Sequence, residues 1–405
     1  MSASVQCRSA RRWWHVSSPI IICVSAGRSA APPSGHSRSE NHVNEIQRSV
    51  DAAIAAFARG ELVVVTDDDD RENEGDLFVA GSLCTPEKMA FIIRHTSGIV
   101  CAPISAADAK RLHLDPMVGA NDAPLGTAFT VSVDCRHGLT TGISAEERTN
   151  TVRALANGNS GAADFVRPGH VFPLIGREGG VLMRSGHTEA CIDLCRLAGL
   201  PPVGVLSELM NDDGTVMRGP AVAAFAEKHG LRLLSIADLI AYRQAREKLV
   251  TRVGEFPVAS EVGTMRGYAY VTPFDQVHHM AFVYGSIGNG INVPARLHRA
   301  DIVRDLFEGG KPIRAALAYF KTAGRGVIVL LRDGTAGVPI QAIPRQGDGS
   351  SEEARVRQWR EVGLGAQILK DLGISSIRLL ASARFTYVGL AGFGIEIVAT
   401  EMLEG

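Results

Sequence analysis

Within Asp67-Asp68-Asp69-Asp70-Arg71-Glu72-Asn73-Glu74-Gly75-Asp76, seven of ten side chains are carboxylates. Carboxylates this crowded repel one another, and the strain persists unless a cation or protons relieve it. Oxygen-rich clusters suit Mg²⁺ or Mn²⁺, which keep several waters and need few protein ligands. The competing reading is a solvated acidic turn, which is what most charge runs are. The spacing is not that of a calcium-binding loop, because the glycine and the terminal Glu fall elsewhere.

Arg184-Ser185-Gly186-His187-Thr188-Glu189-Ala190 carries the second set of reactive types. It follows the apolar Gly180–Met183, read as a strand, and precedes the helical Cys191–Ala198. A strand–turn–helix junction presents free backbone N–H groups to an anion, and Arg184 adds a charge-assisted donor. The natural ligand is a phosphorylated small molecule. At Thr140–Ser144 a similar junction reads equally as a cap, because Ser144 and Glu147 are spaced as a capping box for a helix through Leu155. His187, Cys191 and Cys195 share one helical face, yet no further Cys/His pair completes a structural zinc set, so buried thiols are the better account of the cysteines. From the residues alone, His170 is a loop histidine pairing with backbone.

These segments need elements to hold them. Ile46, Val50, Ile54 and Phe57 recur at helical spacing, with order beginning near Asn44 and Gly60 placed to stop the helix. Leu62–Val65 reads as a buried strand, and strands and helices interleave from there to a helix over 236–243. The charged Ala245–Gly254 marks a domain junction. Beyond it, 279–284, 326–332, 377–381 and 394–399 read as strands, and 299–308, 313–322 and 352–372 as helices, with a loop over 346–351. The expected class is α/β, more α+β in the first domain, with two domains that each layer helices on a mixed sheet.

With 405 residues, two or three domains are expected. The chain is 45% apolar and 21% charged, which excludes collagen-like, coiled-coil and disordered classes. A net charge of −1 gives no field to hold nucleic acid or an anionic membrane. No apolar run approaches the roughly 18 residues of a membrane span. Seven cysteines, an odd and sparse set, argue for a reducing compartment, so a cytoplasmic enzyme is expected. Residues 1–39 contain no Asp or Glu but five Arg and ten Ser. That leader, through residue 43, reads as a disordered extension, with organelle targeting or a misplaced start as alternatives.

Taken together, DDDDRENEGD (67–76), RHTSGIVC (94–101), FTVSVD (129–134), TTGISAEER (140–148), RPGHVFPL (167–174), RSGHTEA (184–190) and SELMNDDG (207–214) resemble 3,4-dihydroxy-2-butanone 4-phosphate synthase. The resemblance spans about residues 44–243, within a domain of 44–246. It implies a lyase of riboflavin biosynthesis that converts D-ribulose 5-phosphate into 3,4-dihydroxy-2-butanone 4-phosphate and formate with Mg²⁺ (or Mn²⁺), working as a homodimer with active sites near the subunit interface. Glu72 and His187 would hold the metal. Arg71, Glu72, Asp76, Arg184, Ser185, Gly186, His187, Thr188 and Glu208 would bind the sugar phosphate, and His170, Glu208 and Glu74 would move protons. The chemistry fits these types: a proton is lost beside a carbonyl, which needs a positioned base, and the anion that develops needs a neighbouring positive charge.

Residues 263–401, in a domain of 252–401, resemble GTP cyclohydrolase II through GRG (324–326), GLGAQIL (363–369) and DLGISSIRLL (371–380). That family holds a zinc-activated water with cysteines, and here no cysteine lies beyond Cys195. Asp301 stands at the first ligand's place, and Glu308-Gly309-Gly310-Lys311 replaces the Cys-x-Cys pair. Thr322-Ala323, Gln358-Trp359-Arg360 and Val362 depart from the pattern as well. His298 and Asp301 alone do not make a zinc site, so no zinc is expected in this domain. It is expected to be silent in GTP hydrolysis and to serve as a scaffold or nucleotide-sensing module; a second activity on GTP is the alternative. Arg325 is either a phosphate contact or a surface arginine.

Overall fold

The computed structural model describes residues 36–67, 71–273, 277–332, 363–382 and 394–403. Asp68–Asp70, most of the leader, the 346–351 loop and the start of the 352–372 helix lie outside the described residues.

A helix, α1 (His36–Ala58), opens the described chain and begins ahead of Asn44, since no Pro or Gly interrupts residues 36–59. It ends where Gly60 turns with φ 75°. The first sheet contains β1 (Val63–Thr66), β2 (Gly75–Ala80), β3 (Cys101–Ile104), β4 (Val133–Cys135), β5 (Phe165–Ile175), β6 (Gly204–Glu208) and β7 (Arg232–Ser235). Their spatial order is β4-β5-β3-β6-β2-β1-β7. The sheet is mixed: β1 runs parallel to β7 and antiparallel to β2, which pairs antiparallel with β6.

Strand alternation explains the unbroken apolar runs, because both faces are covered. Val63 and Val65 point to the layer of α1, α5 (His187–Leu197) and α7 (Ile236–Arg246). Val64, Leu77 and Val79 point to the layer of α2 (Pro86–His95), α4 (Ala145–Ala156) and α6 (Pro220–His229). The short α3 (Ala106–Arg111) follows β3. Helix α4 starts with the Ser144–Glu147 capping box, and Glu147 also accepts from the N–H and hydroxyl of Thr140.

The second sheet has the order β14-β13-β11-β12-β10-β9-β8. Its strands are β8 (Thr251–Ser260), β9 (Gly263–Val271), β10 (His279–Tyr284), β11 (Val293–Arg299), β12 (Gly326–Leu331), β13 (Ser376–Ala381) and β14 (Glu396–Met402). Three of these, β8, β9 and β11, are not marked in the sequence. Gly254 and Pro257 interrupt β8, which an edge strand tolerates. The expected helix over 299–308 shortens to α8 (Ile302–Phe307), since Arg299 completes β11. One face of this sheet packs on α9 (Lys311–Ala323) through Phe320, and the other on the helical 363–371 through Ile368. The apolar cluster beneath α1, α5 and α7 continues through Leu249 and Val250 into the second sheet.

Candidate active site

Gly180–Leu182 is a short 3₁₀ turn, not a strand. Gly179 and Gly180 both have positive φ, 91° and 64°, which an extended chain cannot accommodate. The turn is pinned from behind: buried Asp193 of α5 accepts from the Val181 N–H at 2.8 Å and from Arg243 Nη1 at 2.6 Å. Arg243 also donates to the Gly179 carbonyl. That brace sets where the following residues, Arg184–His187, enter α5.

Helix α5 begins at His187 behind Gly186, and no side chain caps its first turn. Its leading N–H groups are therefore open to an acceptor from outside. The His187 ring packs edge-on to Phe78 of β2, centroids 6.1 Å apart. Its Nδ1 lies 3.9 Å from Glu72 Oε2, and its Nε2 lies 3.9 Å from Asp76 Oδ1. Asp67, Glu72 and His187 each offer an atom within 4.8 Å of the others. Among the described residues this is the one such cluster of three or more metal-ligating side chains.

Asp67 organises the acidic loop, a role the sequence reading missed. It is buried directly after β1 and accepts from Arg71 Nη1 at 2.8 Å, from the Glu72 N–H at 3.0 Å and from the Glu74 N–H at 2.9 Å. Arg71, its side chain buried, also contacts Glu72. The available signal was position, because the first carboxylate after a buried strand has little route to solvent.

Asp76 and Glu208 are neighbours across the β2–β6 ladder. Burial, then the carboxylates of Glu208, Glu72, Glu74 and Asp67, push the Asp76 carboxyl well above the usual range. Its Oδ1 has no hydrogen-bond partner, and neither does His187 Nε2. Burial raises Glu72 too; Arg71 opposes the shift while Asp67 and Glu74 add to it. Burial pushes the His187 imidazole down to about 4, so it is neutral at neutral pH and able to ligate. Glu208 accepts from Ser97 Oγ at 3.0 Å, and Glu74 accepts from Arg218 at 2.8 Å.

The other expected residues are less concentrated. The Arg184 guanidinium is engaged by Glu189 at 2.7 Å and by the Leu125 carbonyl and Thr127 hydroxyl. Ser185 Oγ is buried without a partner, and Thr188 is buried in the first turn of α5. His170 stands apart on β5, separated from β6 by β3 and held by Asp134 at 2.7 Å.

The buried imidazole heading α5 thus faces the carboxylates of Asp67, Glu72 and Asp76. The profile of 3,4-dihydroxy-2-butanone 4-phosphate synthase matches residues 51–242, and that of GTP cyclohydrolase II matches residues 251–402. The chain belongs to this family of two-domain riboflavin biosynthesis proteins. It is 45% identical over 359 residues to the Arabidopsis thaliana chloroplastic protein named monofunctional riboflavin biosynthesis protein RIBA 2, covering 86% of this chain and 75% of that one. It is also 45% identical over 368 residues to a bifunctional chloroplastic relative, RIBA 1, of the same plant, covering 86% and 68%. The crystal structure of RibBX, a two domain 3,4-dihydroxy-2-butanone 4-phosphate synthase from A. baumannii, superposes with a TM-score of 0.72 at 36% identity, covering 88% of this chain and 99% of that one. The chain is thus a 3,4-dihydroxy-2-butanone 4-phosphate synthase, a lyase of riboflavin biosynthesis. Relatives of equal similarity thus carry the names monofunctional and bifunctional.

In that second domain His298 Nε2 is tied to Asp305 at 2.9 Å, and Asp305 also accepts from the Asp301 N–H. Arg325 donates to the carbonyls of Ile287 and Ile291. Gln358–Arg360 and Val362 lie outside the described residues. Among the described residues no helix is long and apolar enough to cross a membrane.

Proposed function

We propose that residues 44–246 convert D-ribulose 5-phosphate into 3,4-dihydroxy-2-butanone 4-phosphate and formate, and that residues 252–401 do not hydrolyse GTP. The observation that carries the first part is the approach of Glu72 to His187 beside buried Asp67, with Asp76 and Glu208 adjoining. Two carboxylates and a neutral imidazole, with the ring's Nε2 unpartnered, fit a divalent ion such as Mg²⁺ or Mn²⁺. Glu72, His187 and Asp67 would hold it. When bound, it would supply Lewis-acid stabilisation of negative charge developing beside the substrate carbonyl.

The chain's own groups supply the remainder. The open first turn of α5, with Ser185, Gly186 and Thr188, receives the phosphate, and Arg184 steadies that turn. Arg71 and Asp76 orient the hydroxyls. Asp76 holds its proton more readily than an ordinary carboxyl and serves as an acid, while Glu208, Glu74 and His170 are the candidates for moving protons from carbon. The enzyme acts on the sugar phosphate as a homodimer in the cytoplasm, with organelle targeting by residues 1–39 as the alternative; no nucleic acid or membrane partner is invoked.

The test is formate release from D-ribulose 5-phosphate with Mg²⁺, stopped by EDTA. Glu72→Gln and His187→Ala should each abolish turnover with the fold intact, and retained activity removes them from the metal site. The second reading, a bifunctional enzyme, is favoured by the GTP cyclohydrolase II match and the bifunctional relative. Against it stands the lack of any cysteine beyond Cys195. GTP turnover with added zinc would restore it.

A further inference from the structure

The His170 environment contains a buried carboxylate that the roles above leave unused. Strand β5 bulges against β4: Val133 pairs with Val171, but the next residue, Asp134, pairs with Val166. Residues 167–170 are thereby looped out. Gly169 lies against the Val133 backbone, where an added Cβ would stand 2.0 Å from the Val133 carbonyl carbon, and its N–H donates to Ser132 Oγ at 3.1 Å. The bulge delivers His170 to Asp134 twice. The His170 N–H donates to Asp134 Oδ1 at 2.8 Å, and Nδ1 meets Oδ2 at 2.7 Å.

A third segment closes over the pair. Gly142, with φ 86°, leaves no room for a side chain: a Cβ there would stand 2.0 Å from Asp134 Oδ2 and 2.7 Å from His170 Nδ1. The Asp134 side chain is 4% exposed and that of His170 40%, so the ring is gripped on its inner edge and open on its outer one. Arg148 of α4 is the nearby cation, its own Nη1 donating to the Gly98 carbonyl. Arg167 turns away to the carbonyls of Leu112, Ala162 and Phe165.

We propose that Asp134 is a positioning residue for the synthase reaction: its carboxylate accepts a hydrogen bond from the Nδ1–H of His170, fixing the tautomer and ring plane so that Nε2 faces outward to carry protons for the substrate. A carboxylate behind an imidazole orients it and selects which nitrogen is protonated. This rests on the reading of His170 as a catalytic residue, and the experiment separates the two.

Formate release is measured for full-length Asp134→Asn, Asp134→Glu and His170→Ala, beside histidine ¹⁵N NMR of the wild type, the His170 signal being assigned by its loss in His170→Ala. Expected are a fall in kcat of about 100-fold for Asp134→Asn, the scale of one lost proton-transfer contribution, a nearly unchanged KM, and partial recovery with Glu. The wild-type His170 proton should reside on Nδ1. If His170→Ala is inactive while Asp134→Asn keeps the wild-type kcat, Asp134 has no positioning role. If His170→Ala retains full activity, the catalytic reading of His170 fails and the proposal with it. Should Asp134→Asn not fold, the NMR decides alone: a proton on Nε2 overturns the proposal.

Discussion

Asp67 shows how a single buried side chain shapes the site. Three donors converge on it, two of them backbone N–H groups of the residues that carry Glu72 and Glu74. Asp67→Ala strands those donors at about 1–3 kcal/mol for each buried group left unsatisfied. We expect Asp67→Ala to lose divalent-ion affinity together with turnover, as read by Mn²⁺ titration and formate release, whereas a mere surface acid would change neither. His279 is 2% exposed, and burial pushes its imidazole down to about 4. In the unfolded chain it protonates near the ordinary value of about 6.5. Between those values the unfolded state binds more protons, so stability falls as pH drops through the window. His279→Gln, which keeps an acceptor for the Arg332 N–H, should flatten that fall in melting temperature from pH 6.5 to 4; an unchanged slope would show that His279 is not its source.

At the scale of elements, the brace behind the His187 turn is the feature to break. Arg243 joins α7 to Asp193 of α5 and to Gly179, and Glu247 holds Arg243 from the other side. Arg243→Met takes the buried cation from Asp193 and leaves it only the half-exposed Arg196 at 3.8 Å, a change of at most about 3–5 kcal/mol. Asp193 already has its carboxyl raised to about 6, by burial first. Protonation relieves an unpaired carboxylate, so the deficit seen by urea unfolding should be largest above pH 7 and shrink toward pH 5. A constant deficit would assign the loss to packing. The sequence announced parts of this region. The acidic run, the capping box at Ser144 and the helix after His187 each carry their own local signal of residue type at fixed spacing. What stayed hidden depends on pairing between distant segments. The Asp134–His170 contact exists because β5 bulges, and β8 and β9 form although their alternation is masked by glycine, proline and charge. Gly180–Met183 is as apolar as a strand, and only the left-handed conformation at its glycines makes it a turn.

For the whole molecule, the question is what a second domain without a single cysteine contributes. Its helical 363–371 presents Gln367 to the end of α7 and the connector after it. Gln367 accepts from the Leu249 N–H at 2.6 Å and donates to the carbonyls of Gln244 at 3.2 Å and Glu247 at 2.7 Å. Arg252, at the start of β8, is locked to Asp371 at 2.6 Å, and Asp371 also accepts from Tyr270. With Leu249 and Val250 buried between the sheets, the connector is packed on both sides. Residues preceding it on α7 include Arg243, so the same helix that the second domain caps also braces the His187 turn. Gln367→Leu removes all three polar contacts while keeping bulk, at about 1–3 kcal/mol for each buried partner left unpaired. Calorimetry should then resolve two melting transitions where the wild type melts as one, with formate release declining at the temperature of the first. Two transitions in the wild type as well would mean that the domains are energetically independent, and the second could not be stabilising the first through this contact.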